Sequence, residues 1–183
     1  MKKENVIKSC YSVLGKYTPL EFDCGKLCDG YCCKGGENLG MLLFPGEEAL
    51  IDPDIKVITD NSGRKVAVCN GTCDRNKRPL SCRIYPLFPI YDGEKIETVF
   101  DVRANCPLTS GELKISRRFD KAVRRVGKYL LLNEETKGFL KELSEEQEEY
   151  NNLKDIMGGD ARKNFLKNNF KKMLTNGYSS VIL

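Results

Sequence analysis

The chain has 183 residues, of which 40% are hydrophobic and 31% are charged, and its formal net charge is +4. This composition suffices for a buried core and excludes a wholly disordered chain, while a charge of +4 does not by itself mark a nucleic-acid-binding protein. The chain contains no histidine, which excludes Ser-His-Asp triads, Cys/His zinc fingers and all other sites that need an imidazole. Any metal bound here must therefore take sulfur ligands, or sulfur with carboxylate.

The sequence also carries information about the cellular compartment. No segment is apolar over the roughly 20 residues that a membrane-spanning helix needs. The basic start of the chain is followed by an apolar run that Lys8 interrupts, with no small-residue cleavage site after it, so a secretory signal is not predicted. The nine cysteines are an odd number and cannot all pair as disulfides. We therefore expect a cytoplasmic protein with reduced thiols and no membrane partner.

The first hundred residues are predicted to form one helix and several short strands. Apolar residues recur at helical spacing over 5–17, and this face includes Cys10, which we expect to be a small buried side chain. Asp60-Asn61-Ser62-Gly63 has the pattern of a hairpin turn between two strands. The proline-containing stretch from Cys69 to about residue 94 is predicted to be loop. The other predicted elements are strands over 41–44, 55–59, 64–68 and 95–102 and a short helix over 46–51.

The last third of the chain is predicted to contain helices only. One helix starts near Ile115 and ends near Leu130, and another begins at Asn133 or Glu134. Ser144-Glu145-Glu146-Gln147 fits a capping box that would begin a further helix, and a last helix is expected between Gly158-Gly159 and Asn176-Gly177. The predicted fold is α+β, with a cysteine-rich loop-and-strand metal-binding domain, including the N-terminal helix, over 1–107 and a helical C-terminal module over 108–183.

Eight cysteines other than Cys10 lie in short motifs rich in glycine and proline, namely Cys24, Cys28, Cys32, Cys33, Cys69, Cys73, Cys82 and Cys106. Ordinary cores do not crowd cysteine in this way, and four thiolates are what a closed zinc site or a cubane iron–sulfur cluster takes. The side chains of neighbours such as Cys32 and Cys33 diverge in most backbone conformations. These two residues therefore serve two sites, or one is a ligand and the other a packed thiol. We expect this metal site to organise the first hundred residues.

Several side chains around these motifs fit a metal site. The cations of Lys26, Lys34, Arg78 and Arg83 would lower the pKa of nearby thiols and offset the charge of a thiolate cluster. The aromatic residues close to Cys82 are expected to cover the cluster and exclude solvent. They are Tyr85, Phe88 and Tyr91.

The segments CGKLCDGYCC, CNGTC and RPLSCRIYP and the final Cys-Pro pair together resemble the YkgJ-type cysteine-cluster family over roughly residues 20–110. The most specific parts are the vicinal pair Cys32-Cys33 and the run from Arg78 to Pro86. The family is described as carrying a zinc- or iron-chelating domain and is often labelled an iron–sulfur protein. The resemblance therefore implies that the eight cysteines are the chelating set, and it favours an iron–sulfur cluster such as 4Fe-4S over zinc. The chain departs from the common first motif, because three residues rather than two separate Cys24 from Cys28.

Three classes of function are compatible with these motifs. The first is a metal-binding protein with a structural, redox or accessory role. The second is an enzyme that modifies protein side chains, since a larger relative in the resemblance, the flagellin lysine methylase, carries a similar cluster; its helical module would contact a protein partner. No nucleotide-binding loop or carboxylate pair identifies a catalytic residue for this enzyme.

The third class of function, and the weakest, is a zinc-stapled module that binds nucleic acid through a basic helix face. This basic face consists of Arg117, Arg118, Lys121, Arg124, Arg125 and Lys128. Such a stripe is more often a solvated surface, so nucleic acid is not favoured as a partner.

Overall fold

The computed structural model describes residues 1–33, 40–68, 71, 74–101, 106–110 and 113–152. The predictions for Lys34, Cys69, Cys73 and the last helix lie outside these residues. The described elements are helices α1 (Lys3–Leu14), α2 (Gly25–Cys28), α3 (Leu80–Ile84), α4 (Arg117–Leu130) and α5 (134–152), and strands β1 (Gly40–Leu42), β2 (Lys56–Thr59), β3 (Lys65–Val68), β4 (Leu87–Tyr91) and β5 (Ile96–Phe100). Helices combined with small antiparallel sheets confirm the predicted α+β class.

The first sheet has the strand order β1-β3-β2, and both of its strand pairs are antiparallel. The predicted hairpin joins β2 to β3. Its turn is held by the Asp60 carboxylate, which accepts hydrogen bonds from the backbone N–H groups of Ser62 and Arg64, both at 2.9 Å. Gly63 adopts a φ of 84°, which glycine tolerates at little cost. The hairpin prediction is therefore confirmed.

The short helix predicted over 46–51 is wrong, because these residues form turns instead. Gly46 has a φ of 87°, a left-handed conformation that does not propagate a right-handed helix. The Glu47 carboxylate turns back and accepts a hydrogen bond from the backbone N–H of Phe44 at 2.9 Å. This contact holds a tight reversal directly after β1.

The second sheet pairs β4 with β5 in antiparallel register, from Leu87 opposite Phe100 to Tyr91 opposite Ile96. The loop predicted from Cys69 to about residue 94 therefore contains α3 and β4 in its second half. The prolines favour loop, but the described residues place two strands in this sheet, so Pro89 lies on an edge strand and can direct its missing N–H away from the ladder.

One hydrophobic core unites both parts of the chain. It contains side chains from α1, β1, β3, α3, β4, β5, α4 and α5, among them Ile7, Phe44, Leu80, Phe119 and Leu140. The core thus includes side chains from most elements of the first hundred residues, and the expectation that a metal site organises this part stays a prediction. The division of the chain at residue 107 stays a prediction.

Helix α5 begins where the sequence predicts, since the Asn133 side chain accepts hydrogen bonds from the backbone N–H groups of Glu135 (3.0 Å) and Thr136 (3.3 Å). The capping box predicted at Ser144 is wrong, because helix continues through it. The Ser144 hydroxyl is buried; it donates to the Leu140 carbonyl at 2.8 Å and accepts from the Tyr91 N–H at 3.0 Å. Tertiary packing against β4 thus uses a side chain that the local pattern assigns to a helix start.

Candidate metal centre

A single cavity of about 200 Å³ brings together predicted ligands from three segments of the chain. Three of these thiols belong to the first cysteine motif (24–33), one lies on α3, and one precedes the 3₁₀ turn Pro107–Ser110. We call them the cavity cysteines: Cys24, Cys28, Cys32, Cys82 and Cys106. Cys33 does not line the cavity, but its Sγ lies 3.9 Å from the Sγ of Cys32.

The local backbone explains how the first cysteine motif folds back on itself. Helix α2 is a single turn, and the Asp23 carboxylate accepts a hydrogen bond from the N–H of Gly25 at 3.1 Å. Asp29 and Gly30 then adopt positive φ values of 51° and 60°, and the Gly30 N–H closes the turn onto the Gly25 carbonyl at 2.9 Å. The chain reverses there and enters the 3₁₀ turn that carries Cys32 and Cys33.

Helix α3, which lies about fifty residues after the first cysteine motif in the chain, contributes Cys82 to the cavity. The Ser81 hydroxyl donates to the Leu42 carbonyl at 2.6 Å, which ties the helix to the end of β1. The Arg83 guanidinium lies 4.0 Å from the centre of the Tyr11 ring, a cation–π distance. Arg83 also donates to the carbonyl oxygen of Arg78, at 2.9 Å, and to that of Asn76.

The cavity wall is positively charged apart from its thiols. Its described lining residues include Lys16, Arg78 and Arg83 but no aspartate or glutamate. Cationic side chains beside thiols favour the thiolate form and offset the negative charge of a thiolate cluster. The predicted role of Arg78 and Arg83 is thus compatible with their positions, and Lys16 is an additional cation that the sequence did not reveal.

The thiols are close enough to influence one another electrostatically. A hydrogen bond with Cys33 raises the pKa of Cys32, and burial and the nearby charges of Cys24 and Cys28 raise it further. Burial raises the pKa of Cys106, and the proximity of Cys28 adds to this increase. Crowded thiols hold their protons because several thiolates repel one another, and a bound cation would remove that repulsion.

The cavity cysteines do not form a finished coordination site. Within the described ranges, no three or more Cys, Asp or Glu side chains lie in an arrangement that could hold a metal ion. Two of the eight predicted ligands, Cys69 and Cys73, lie outside those ranges. The structure therefore brings five predicted ligands to one cavity without placing them at ligand distances from a common point.

Cys10 does not line the cavity and is a buried side chain, as predicted. It is completely buried on α1, and its Sγ lies 3.8 Å from the Val126 carbonyl oxygen. Burial raises the pKa of this thiol to about 12, and the charge of Glu47 contributes. Cys10 is therefore a protonated core side chain at neutral pH.

Of the three aromatic residues predicted to cover the cluster, only Tyr85 lines the cavity. Phe88 is buried in the core, and the Tyr91 hydroxyl donates to the Gly93 carbonyl at 2.7 Å. Tyr17, predicted to lie on the apolar face of the first helix, lines the cavity instead because α1 ends at Leu14.

Comparison with known proteins identifies no relative of this chain: no protein-family model, no curated protein and no solved structure matches it. The resemblance to the YkgJ-type family is therefore carried by the cysteine motifs alone and stays a prediction. Among the helices of the described residues, none is both long enough and apolar enough to cross a membrane.

Proposed function

We propose that this protein binds a metal centre, an iron–sulfur cluster or a zinc ion, through the cavity cysteines together with other members of the predicted eight. The observation that supports this proposal most is the convergence of five predicted ligands, from three separate segments, on one cavity. A thiol that serves only as a small apolar side chain has no reason to meet others, and Cys10, which has that role, is the one cysteine that the described residues place in the core. The proposed role of the centre is structural, redox or accessory.

The chemistry of the cavity wall fits such a centre. All-cysteine ligation suits both zinc and iron–sulfur clusters, and the chain has no histidine to offer. The Lys16, Arg78 and Arg83 side chains would offset the net negative charge that a four-thiolate centre carries. When bound, the centre would supply the positive charge that keeps crowded thiols deprotonated. The resemblance to the YkgJ-type family supports iron–sulfur as the first form to test.

The other two functions stay alternatives without an observation that favours them. The basic face on α4 is exposed along its whole length, but exposure is equally typical of a solvated surface. The lysine N-methylase-like alternative would need a cofactor site, and no residue has been assigned to one.

Anaerobic purification followed by metal and sulfide analysis tests the proposal. We expect the wild-type protein to carry either iron with sulfide and a visible charge-transfer band, or zinc without colour. Cys28→Ser and Cys82→Ser should lose most of the metal, since binding energy at structural zinc sites is on the order of 10 kcal/mol and depends on the full ligand set. Cys10→Ser is the matched control and should keep its metal with only a mild loss of stability.

Two results would overturn the proposal. One is wild-type protein that holds no metal after anaerobic purification and reconstitution. The other is a Cys10→Ser protein that loses as much metal as Cys28→Ser, because the partition of the cysteines would then be wrong. If the ligand variants are insoluble, X-ray absorption of the wild type decides: we expect metal–sulfur scattering near ~2.3 Å, and light-atom scattering alone would contradict sulfur ligation.

A further inference from the structure

The Glu47 side chain lies in the protein interior, where carboxylates are rare. The residue is 0% exposed, and no cation pairs with it among the salt bridges of the described residues. Three neutral donors satisfy it instead: the Tyr11 hydroxyl at 2.6 Å, the Phe44 N–H at 2.9 Å and the Leu80 N–H. Burying a carboxylate is unfavourable unless its hydrogen bonds are made, so this arrangement calls for an explanation.

The three donors belong to three separate elements. Tyr11 lies on α1, Phe44 follows β1, and Leu80 is the first residue of α3. Because Leu80 has no carbonyl partner within its own short helix, the Glu47 carboxylate satisfies an N–H group that would otherwise be unpaired. Glu47 thus holds the start of α3, and Cys82 lies two positions further along that helix.

A second line of contacts runs from Glu47 through Tyr11 to the cavity. The Tyr11 hydroxyl donates to Glu47, while the Tyr11 ring lies under the Arg83 guanidinium at 4.0 Å. Arg83 lines the cavity beside Cys82. By orienting the Tyr11 ring, the Glu47 carboxylate therefore also holds the Arg83 guanidinium in place.

We propose that Glu47 is a positioning residue, which holds Cys82 and Arg83 in place at the metal centre without contacting the metal. This inference rests on the proposed function, because it counts Cys82 as a ligand. Residues that orient metal ligands without binding the metal typically contribute 10–100-fold to metal affinity. A purely structural role in the core would instead weaken the whole protein evenly.

The test compares Glu47→Gln with Ser144→Ala. The glutamine has nearly the same size, but its NH₂ group cannot accept a hydrogen bond, so it cannot serve both the Phe44 N–H on one carboxylate oxygen and the Tyr11 and Leu80 donors on the other. Ser144→Ala removes buried hydrogen bonds on α5, and neither this residue nor its partners line the cavity. The first measurement is the rate of metal transfer to a chromogenic chelator. The second, on metal-free reduced protein, is the alkylation rate of Cys82 relative to Cys106 by peptide mass spectrometry.

We expect Glu47→Gln to release metal about tenfold faster than wild type. The Cys82/Cys106 alkylation ratio should rise about threefold or more, because a neutral amide accepts the Leu80 N–H more weakly than the carboxylate does and the start of α3 loosens. Ser144→Ala should stay within about twofold of wild type in both measurements. The inference is overturned if Glu47→Gln matches Ser144→Ala in both.

A second variant keeps the inference testable if Glu47→Gln fails to fold. Tyr11→Phe removes one of the three donors and keeps the ring under Arg83, so a smaller rise in the alkylation ratio is expected, and an unchanged ratio overturns the inference. The ratio does not depend on metal. If wild-type protein binds no metal, the proposed function fails, whereas the ratio still decides whether Glu47 positions Cys82.

Discussion

At the scale of single residues, the buried carboxylate of Glu47 makes folding stability depend on pH. Burial raises its pKa from 4.5 to about 7, although the hydrogen bonds from Tyr11, Leu80 and Phe44 act in the opposite direction. Between these two values the folded state holds a proton that the unfolded state has lost. The stabilisation from this proton is fully present below pH 4.5 and is lost as the pH rises towards 7.

Urea unfolding at pH 5, 6, 7 and 8 checks this prediction on wild type and Glu47→Gln. The free energy of unfolding of wild type, relative to the variant, should fall by at most about 1.4 kcal/mol per pH unit between pH 5 and 7 and then level off. Both proteins are measured in the metal-free, reduced form, because the variant is expected to hold metal more weakly, and the difference then cancels the contribution of the titrating groups that both proteins share. Two parallel curves would show that Glu47 does not titrate in this range.

Single residues also show what sequence can and cannot reveal about the site. Helical spacing placed Cys10 on an apolar face, and the structure buries it there. Motif crowding pointed to eight cysteines, and five of them, the cavity cysteines, line one cavity. Nothing in the sequence distinguishes Glu47 from its neighbour Glu48, because the difference arises only when α1, β1 and α3 close around one of them.

At the scale of elements, two helical glycines have opposite expected effects when replaced by alanine. A Cβ at Gly127 on α4 would lie 2.6 Å from Ile96 Cγ2 and 2.8 Å from Pro89 Cβ, so the helix packs there against the second sheet without room for a side chain. Gly138 on α5 has no atom within 4 Å of such a Cβ. We expect Gly127→Ala to destabilise by about 1–3 kcal/mol through overpacking and Gly138→Ala to stabilise by about 1 kcal/mol through helix propensity.

Urea midpoints of the two variants and wild type test this pair. Each protein is the control for the other, because the chemical change is the same and only the surroundings differ. A Gly127→Ala protein as stable as Gly138→Ala would mean that α4 does not press against β4 and β5 as described.

Elements differ in how far the sequence determines them. The β2–β3 hairpin, helix α4 and the starts of α1 and α5 follow from local periodicity and turn chemistry, which the structure confirms, whereas α1 ends at Leu14 rather than at residue 17. Helix α3 and strand β4 do not, because their prolines favour loop and their order comes from long-range contacts such as Ser81 to the Leu42 carbonyl. The position of Ser144 inside α5 has the same cause, since β4 supplies its partner.

At the scale of the whole molecule, the hydrophobic core and the first cysteine motif are held by different forces. The core joins helices and sheets from both parts of the chain. Helix α2 in the motif has no buried residue, and Phe22 and Leu27 around it are 54% and 51% exposed. Apolar burial therefore stabilises the body of the protein but contributes little to the motif, and the proposed metal centre would be the main source of order there.

This separation predicts a local rather than a global effect of metal removal. Chelation under reducing conditions, followed by brief trypsin treatment, should increase cleavage after the exposed Lys26 by about tenfold or more. Cleavage after Lys8 on α1 and after Arg124 on α4 should change little, since these helices pack on each other in the core. Far-UV circular dichroism should keep most of its helical signal, because α2 contributes only 4 residues of helix.

Two outcomes of the trypsin experiment would contradict this prediction, and each has a physical meaning. If cleavage at all three sites rises together and the helical signal collapses, the core cannot hold the fold without metal, and the centre organises the entire first hundred residues. If none of the sites responds, the first cysteine motif is ordered by something other than a metal. Cys10→Ser, treated in the same way, should repeat the wild-type pattern, because its substitution perturbs the core without removing a ligand.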